Sequence, residues 1–163
     1  MKKLNLITGQ QKKISPMKWI RTPKEIWEPL SKEFNFTVDA CASHNNHLLD
    51  KYWTKEDDAL KQDWTNEVVY CHPMFDQHPP KFIKKGIESN SLCVFLLPAS
   101  TNAKYFYDYL WCSYNHRPKE NIQIRFLQKP KGYYGFRFAN DLGELPETGY
   151  LRPLMLVIMH TTN

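Results

Sequence analysis

The sequence lacks three features that would assign a function directly: a long apolar run, a Cys-x-x-Cys pair and a Gly-x-Gly turn. Without an apolar run, and with 42% hydrophobic and 24% charged residues, the composition excludes a membrane protein and a disordered chain. The N-terminus shows no secretory segment. Without a glycine-rich turn after the first predicted strand, a dinucleotide site is disfavoured.

The few cysteines are also uninformative, because the four of them are widely separated in sequence. We expect free thiols in a reducing compartment, which is the cytoplasm, or the nucleus if the source is eukaryotic. Cys41, His44 and His47 have the spacing of metal ligands, but a closed zinc site needs four ligands. A polar loop explains them more simply, and no metal site is predicted.

The chain does contain many aromatic residues, 14% of the total, and an excess of positive charge. Its 163 residues suffice for one domain, so we expect a basic N-terminal arm over residues 1–15 and a folded domain over 16–163. The net charge of +5 favours a polyanionic partner such as nucleic acid, although solubility alone would also account for it. The arm is either a phosphate contact or a solvated tail.

Helical and extended patterns alternate along the domain, which predicts an α/β fold with a mostly parallel sheet and helices on both faces. The first helix has Thr22 as candidate N-cap, Pro23 at its first position and Glu25 as the capping-box acid. Predicted strands are "FTVDACA", "EVVYCHP", "SLCVFLLPAS", "NIQIRFL" and "YLRPLMLVIMH"; the other predicted helices are "PPKFIKKGIES" and "NAKYFYDYLWCSY".

Polar or turn-forming residues follow three predicted strands at the points where the strands end. Asp39 ends the first strand, His72 follows the second, and Pro98 closes the third. In a parallel sheet, ligands bind in the crevice beyond the carboxyl ends of the strands. Each stretch alone is explained as a turn, but together they predict a site at one edge of the sheet.

The blocks "WIRTP", "TVDACAS", "DDALKQDW", "VVYCHPMF" and "VFLLPAST" follow one another in the order of the phage-type DNA N6-adenine methyltransferase family. From about Trp19 to Val157 the chain resembles that family. Four blocks match the family pattern well. The remaining block, "VVYCHPMF", has His72-Pro73-Met74-Phe75 where the family has NPPY, so only the first proline and the aromatic end are kept.

The resemblance implies a Rossmann-like methyltransferase fold, S-adenosylmethionine as cofactor and S-adenosylhomocysteine as product. Asp39 would bind the cofactor as a strand-end acid, and Asp58 would contact its adenosine. Small side chains after the strand would allow close approach. For Asp58 the alternative is a helix N-terminus, where acids are favourable. The implied cofactor-binding residues are Trp19, Thr22, Pro23, Asp39, Ala40, Cys41 and Asp58.

The resemblance also implies methyl transfer to the N6 amine of adenine in DNA. Two acceptors would hold the amine hydrogens, the residue 72 side chain and the Pro73 carbonyl, while Phe75 stacks on the flipped base. Met74 replaces a proline and loosens the turn. A histidine can accept only when neutral, so we expect activity to fall with the titration of His72, near pH 6.5 when unperturbed.

Two alternatives remain open. One alternative to the active enzyme is a catalytically silent methyltransferase-like domain that serves as a binding or partner subunit. The other is a small basic nucleic-acid-binding module without cofactor.

The segment from Lys129 to Gly149 is predicted as a β-hairpin that presents Lys129, Lys131, Tyr133 and Arg137 to DNA. An ordinary long hairpin is the alternative. The chain has no room for a separate recognition domain, so a second methyltransferase-like subunit is a possible partner, and no membrane is expected.

Overall fold

The computed structural model describes residues 21–74 and 78–162. A five-stranded sheet has the order β1-β2-β3-β7-β6, formed by Val38–Asp39, Val68–Cys71, Leu92–Pro98, Leu154–Met159 and Ile122–Leu127. The helices are α1, Lys24–Phe34, and α2, Pro79–Ser89. A π-helix, Phe106–Leu110, leads into a small hairpin of β4, Trp111–Cys112, and β5, Arg117–Pro118. The predictions for the 1–15 arm, Trp19 and Phe75 lie outside the described residues.

Strand direction in the sheet is mixed. β1, β2 and β3 are parallel, whereas β7 is antiparallel to both of its neighbours, β3 and β6. The prediction of a mostly parallel sheet therefore holds for the first three strands and is wrong at β7. Both β3 and β7 are almost fully buried, and a strand buried on both faces has the same apolar pattern whichever way it runs.

The core consists of two apolar clusters that take alternate residues of β3, as expected for a pleated strand. One contains Cys93, Phe95 and Leu97 with Phe82 and Ile83 of α2. The other contains Val94 and Leu96 with Ile26 and Leu30 of α1. Burying an aliphatic side chain stabilises the fold by about 1.5–3 kcal/mol, so these two clusters fix the positions of both helices relative to the sheet.

Thr22 is not the N-cap of α1, contrary to prediction. The helix begins after Pro23, and its cap has no side-chain hydrogen bond. The Thr22 hydroxyl instead lies 2.8 Å from the Tyr70 hydroxyl and 3.1 Å from His72 Nδ1. Thr22 therefore joins the segment before α1 to the end of β2, and this places it beside the predicted catalytic block.

The helix predicted for "NAKYFYDYLWCSY" is too long. The π-helix ends at Leu110, and Trp111 and Cys112 pair with Pro118 and Arg117. The segment from Lys129 to Gly149 is also not a hairpin with a continuous ladder. It is a loop held by isolated bridges, Arg21 to Ala139 and Phe136 to Tyr150. Within the described residues, no helix is both long and apolar enough to cross a membrane.

Candidate active site

The carboxyl ends of three parallel strands meet at one edge of the sheet. Asp39 pairs with Tyr70 and Cys71 pairs with Phe95, so β1 and β2 end at adjacent positions, whereas β3 continues beyond Phe95 to Pro98. All three strands end at the same edge of the sheet. A crevice of this kind is the usual ligand site of open α/β sheets.

The first cavity at this edge has a volume of about 360 Å³, within the range of small-molecule sites. The turn after β1, the loop after Tyr52, the chain after β2 and the start of α2 form its walls. Among the predicted cofactor residues it contains Ala40, Cys41 and Asp58, and Met74 also reaches it. Its other lining residues are Ala42, Trp53, Thr54, Lys55, Ala59, Leu60, Lys81 and Phe82.

Asp58 reaches this cavity from a turn rather than from a helix N-terminus. Its backbone is left-handed, with φ of 54°, a conformation that Asp tolerates better than most residues. One carboxylate oxygen accepts a hydrogen bond from the Leu60 N–H at 3.2 Å, and the other lies 3.3 Å from Lys61 Nζ. The neighbouring acid, Asp57, accepts from the Thr54 N–H and hydroxyl, both at 2.8 Å. The turn thus presents Asp58 to the cavity while Asp57 holds the turn together.

Asp39 has a different environment from the one predicted. Its side chain is buried, 3% exposed, and does not line the cavity formed by Ala40, Cys41 and Asp58. The carboxylate accepts a hydrogen bond from the Leu48 N–H at 3.1 Å. Burial raises the pKa of Asp39 to about 6, against the opposing effect of hydrogen bonds from the Leu48 and Cys41 backbone. In this geometry Asp39 fastens the loop that follows β1.

Two cysteine thiols contact each other at the lining of the first cavity. Cys41 and Cys71 have their sulfur atoms 3.6 Å apart, and both are free cysteines. Cys71 is fully buried, and this burial, with the adjacent Cys41 thiol, raises the pKa of Cys71 well above its usual value. Cys71 is therefore an uncharged thiol that packs as a small apolar side chain, and Cys41 is the one of the two that reaches the cavity.

Thr22 and Pro23 line a second cavity of about 370 Å³, separate from the first in its lining residues. The structure does not bring these two residues together with Asp58. Instead it brings them together with Tyr133 and Arg137, two of the predicted DNA contacts. The remaining lining residues are Arg21, Lys24, Glu25, Pro130, Gly135, Ala139, Gly143 and Leu145.

This second cavity carries positive charge. Arg137 lies over the Tyr133 ring, 5.7 Å from its centroid, and its Nε donates to the Pro146 carbonyl at 2.8 Å. The Arg21 Nε is buried without a hydrogen-bond acceptor among the described residues. Lys129 and Lys131, close in sequence to Tyr133, are exposed and do not line the cavity. The Lys129 ammonium donates a hydrogen bond to the Tyr133 carbonyl at 2.9 Å.

His72 lies at the end of β2, 7% exposed, with its ring 5.4 Å from that of Phe138. Burial lowers the pKa of His72 to about 3, because the charged form loses its hydration. The imidazole is therefore neutral at ordinary pH. The fall of activity predicted to follow the titration of His72 is therefore expected at much lower pH than the unperturbed value near 6.5.

Cys41, His44 and His47 do not converge. His44 Nδ1 lies 2.8 Å from the Tyr52 hydroxyl, and His47 stacks on Tyr52 with a centroid distance of 4.2 Å while its Nδ1–H donates to the Leu49 carbonyl. Among residues 21–74 and 78–162, no group of three or more His, Cys, Asp or Glu side chains is placed to hold a metal ion. These histidines belong to the packing of the loop after β1.

Comparison with known sequences decides the family. The model of the family described as DNA N-6-adenine-methyltransferase (Dam) matches residues 10–160. The chain belongs to this family. The matched range contains every block in which the resemblance was found, including the tetrapeptide that begins at His72.

A relative in the Dam family is the DNA N-6-adenine-methyltransferase of Escherichia phage T1, 32% identical over 90 residues. The alignment covers 52% of this chain and 37% of the relative, so the chain spans well under half of that protein's length. No solved structure matches the chain.

Sequence analysis missed one residue that contacts Thr22 and two that line the first cavity. Tyr70 reads as a core strand residue, yet it lies two positions before His72 and hence on the same side of the strand, where it contacts Thr22. Lys81 and Phe82 read as ordinary helix residues. Their position just after a strand that ends at the site is the signal that would have found them, because that helix starts at the edge of the sheet.

Proposed function

We propose that this protein transfers a methyl group from S-adenosylmethionine to the N6 amine of adenine in DNA. The observation that carries the proposal is the placement of the family's catalytic block, His72 to Met74, next to a cavity of suitable size at the carboxyl edge of parallel strands. We further propose that the fold is Rossmann-like, with α1 and α2 on opposite faces of the sheet, since each helix packs into a different core cluster.

The first cavity is the proposed cofactor site. Ala40, Cys41 and Ala42 have small side chains, which let a ligand approach the backbone after β1. Trp53, Leu60 and Phe82 supply apolar walls, and Asp58 supplies a carboxylate that would accept hydrogen bonds from hydroxyl or amino groups. When bound, S-adenosylmethionine supplies an electrophilic methyl group on a sulfonium. Thr22, Pro23 and Asp39, which were also predicted to bind the cofactor, do not line this cavity.

The second cavity is the proposed DNA side of the site. Arg21, Lys24 and Arg137 give it positive charge, and Tyr133 offers a ring on which a base can stack. His72 joins the two cavities in the fold, because Thr22 of the second cavity contacts its ring and Met74 of the first follows it two residues later. A base drawn out of the duplex would therefore meet the catalytic block between them.

In the chemical step the chain's residues would position adenine and take up hydrogen bonds. The N6 lone pair is delocalised into the ring, so an acceptor that holds an N6–H helps the nitrogen form its bond to carbon. The Pro73 carbonyl is suited to this role, and Phe75 is proposed to stack on the base. As the carbon–nitrogen bond forms, the carbon–sulfur bond breaks and one N6 proton leaves to solvent.

A second function, that of a silent binding subunit, is favoured by one observation. His72 Nδ1 is already engaged with Thr22, and the ring is buried. A neutral imidazole has a single acceptor nitrogen, so a contact that uses this nitrogen removes the side chain from the pair of acceptors found in the family. Cofactor and DNA binding would survive this loss, whereas methyl transfer would be lost.

Calorimetry and a rescue variant test both functions. S-adenosylhomocysteine should bind the purified protein, and Asp58→Asn should weaken binding, whereas Asp57→Asn should act chiefly on the stability of the turn. No heat at high ligand concentration, with or without DNA, would reject both functions. His72→Asn with Met74→Pro restores the family's acceptor and turn; activity gained only in this double variant would establish the silent form.

A further inference from the structure

Three buried polar side chains form a short hydrogen-bonded row at the end of β2. Thr22 Oγ1 lies 2.8 Å from the Tyr70 hydroxyl and 3.1 Å from His72 Nδ1. Tyr70 is fully buried, and Thr22 and His72 are 6% and 7% exposed. A row in such surroundings has little access to water, so the positions of its protons are set by the protein.

The Thr22 hydroxyl has one proton and two acceptor lone pairs, so it donates to at most one of its two contacts. In the first arrangement the Tyr70 hydroxyl donates to Thr22, and Thr22 donates to His72 Nδ1. The proton of the neutral imidazole is then on Nε2. In the second arrangement His72 Nδ1–H donates to Thr22, Thr22 donates to Tyr70, and the Tyr70 proton must find another acceptor.

The surroundings of Tyr70 decide between the two arrangements. In the described part of the chain, Thr22 Oγ1 is the acceptor recorded for the Tyr70 hydroxyl. Leaving a buried hydroxyl proton without an acceptor disfavours a state by roughly tenfold or more. The first arrangement satisfies both hydroxyl protons, whereas the second leaves the Tyr70 proton unbonded. A third, in which Thr22 accepts from both neighbours, leaves the Thr22 proton without an acceptor among the described residues.

We propose that Tyr70 and Thr22 are positioning residues that hold His72 as the tautomer protonated on Nε2. The side chain that stands in place of the family's amide acceptor would then offer a hydrogen-bond donor. Its match on a flipped adenine is the acceptor N1, which lies next to the N6 amine on the Watson–Crick edge. The Pro73 carbonyl is left to accept from N6. The statement about adenine rests on the proposed function; the tautomer does not.

Long-range proton–nitrogen NMR on the full chain labelled with ¹⁵N tests the tautomer directly, since protonated and unprotonated ring nitrogens resonate far apart. The signals of His72 are assigned by their loss in His72→Asn. We expect Nδ1 without a proton and Nε2 with one in the wild type. The reverse pattern would overturn the proposal.

Variants of the row test the positioning role. Tyr70→Phe removes the donor to Thr22, so both arrangements become available and the His72 nitrogen signals should move toward averaged values. Thr22→Val should also move them, whereas Thr22→Ser retains the hydroxyl and should leave them in place. A backbone amide spectrum shows whether each variant is folded. A folded Tyr70→Phe variant with wild-type His72 signals would overturn the role of Tyr70.

DNA that carries 1-deazaadenine at the target tests the contact to the base. If the protein methylates adenine, loss of N1 should reduce the rate of transfer, and it should do so much less in His72→Ala. An equal reduction in both proteins would reject the N1 contact and leave the tautomer to the NMR result. An inactive wild type would reject the proposed function, and the NMR experiment would still decide the proposal.

Discussion

His72 differs from an amide side chain at the same position in how many hydrogen bonds it can accept and in its response to pH. An amide oxygen accepts without titrating, whereas an imidazole accepts only through one nitrogen and only when neutral. The burial of His72 removes the second limitation, because it keeps the ring neutral down to a pH near 3. The first limitation remains and is set by Thr22.

The buried neutral His72 should make the fold sensitive to acid. Its pKa is about 3 in the folded chain and about 6.5 when unfolded. Between these values the unfolded chain binds an extra proton, so the free energy of unfolding should fall by at most about 1.4 kcal/mol per pH unit as pH drops from 6.5. Asp39, with a raised pKa, acts in the opposite direction between about pH 4 and 6.

Urea unfolding of wild type and His72→Asn isolates the contribution of the histidine, because both proteins contain Asp39. The difference in free energy of unfolding between them should shrink as pH falls from 6.5 to 4. His160→Asn, which removes an exposed histidine, is the matched control. A constant difference between wild type and His72→Asn over this range would show that His72 titrates normally.

Cys41 provides a reporter for the first cavity, because its side chain lines the cavity and is only partly buried. S-adenosylhomocysteine at saturation should slow alkylation of Cys41 severalfold by covering the thiol. Cys112, partly buried in β4 and absent from the lining, is the internal control, and peptide mass spectrometry resolves the two sites. Equal rates with and without ligand at Cys41 would place the cofactor elsewhere.

The loop over residues 128–150 has little regular structure, and at two of its positions the fold requires glycine. A Cβ atom on Gly149 would lie 2.3 Å from the Gly135 carbonyl oxygen, and one on Gly135 would lie 1.9 Å from the Tyr150 oxygen. The two chain segments therefore approach too closely for any side chain. This contact supports the loop that carries Tyr133 and Arg137.

Gly149→Ala should destabilise this loop more than Gly143→Ala. Gly143 has φ of 81° and open space around its Cβ position, so its substitution costs only the left-handed conformation, about 1–2 kcal/mol. Gly149→Ala adds a clash with backbone that cannot rotate away. Limited proteolysis within residues 128–150 and urea unfolding measure the two effects. Equal losses in the two variants would contradict the close contact.

Helices and strands were predicted best where the residue pattern is compatible with only one type of structure. The bounds of α2 agree with its pattern because an apolar stripe of helical period, with prolines at its start, fits little else. The direction of β7 was not predictable, since burial on both faces gives the same pattern in either direction. The role of Thr22 was missed because a residue before a helix is ordinarily a cap, and its true contacts are 48 and 50 positions away.

The sequence indicated where in the fold the candidate site lies better than it indicated which residues line the same cavity. The resemblance implied that Cys41 and Asp58 bind the cofactor, and both line the first cavity together with Met74. It implied the same for Asp39, Thr22 and Pro23, which are absent from that lining. Whether a strand-end acid faces a ligand or its own loop depends on a single backbone contact, here the Leu48 N–H, which no local pattern encodes.

At the scale of the whole molecule, the net charge of +5 and the cations of the second cavity should make DNA binding strongly dependent on salt. Each neutralised phosphate releases counterions, so replacing Lys129 and Lys131 by alanine should weaken binding and lower the slope of log affinity against log salt by about one per lysine. Lys84→Ala, which removes an exposed charge paired with Glu88 on α2, is the control. An unchanged slope in the double variant would show that Lys129 and Lys131 do not contact DNA phosphates.

The central claim is that this chain methylates adenine in DNA, and mass spectrometry of the DNA product tests it most directly. Unmethylated duplex DNA is incubated with the wild-type protein and S-adenosylmethionine that carries a deuterated methyl group, then digested to nucleosides. The account predicts N6-methyladenine with the deuterium mass shift, and a strong reduction with Asp58→Asn at limiting cofactor. Labelled cytosine in place of adenine, or no labelled nucleoside from a protein that demonstrably binds the cofactor and DNA, would contradict it.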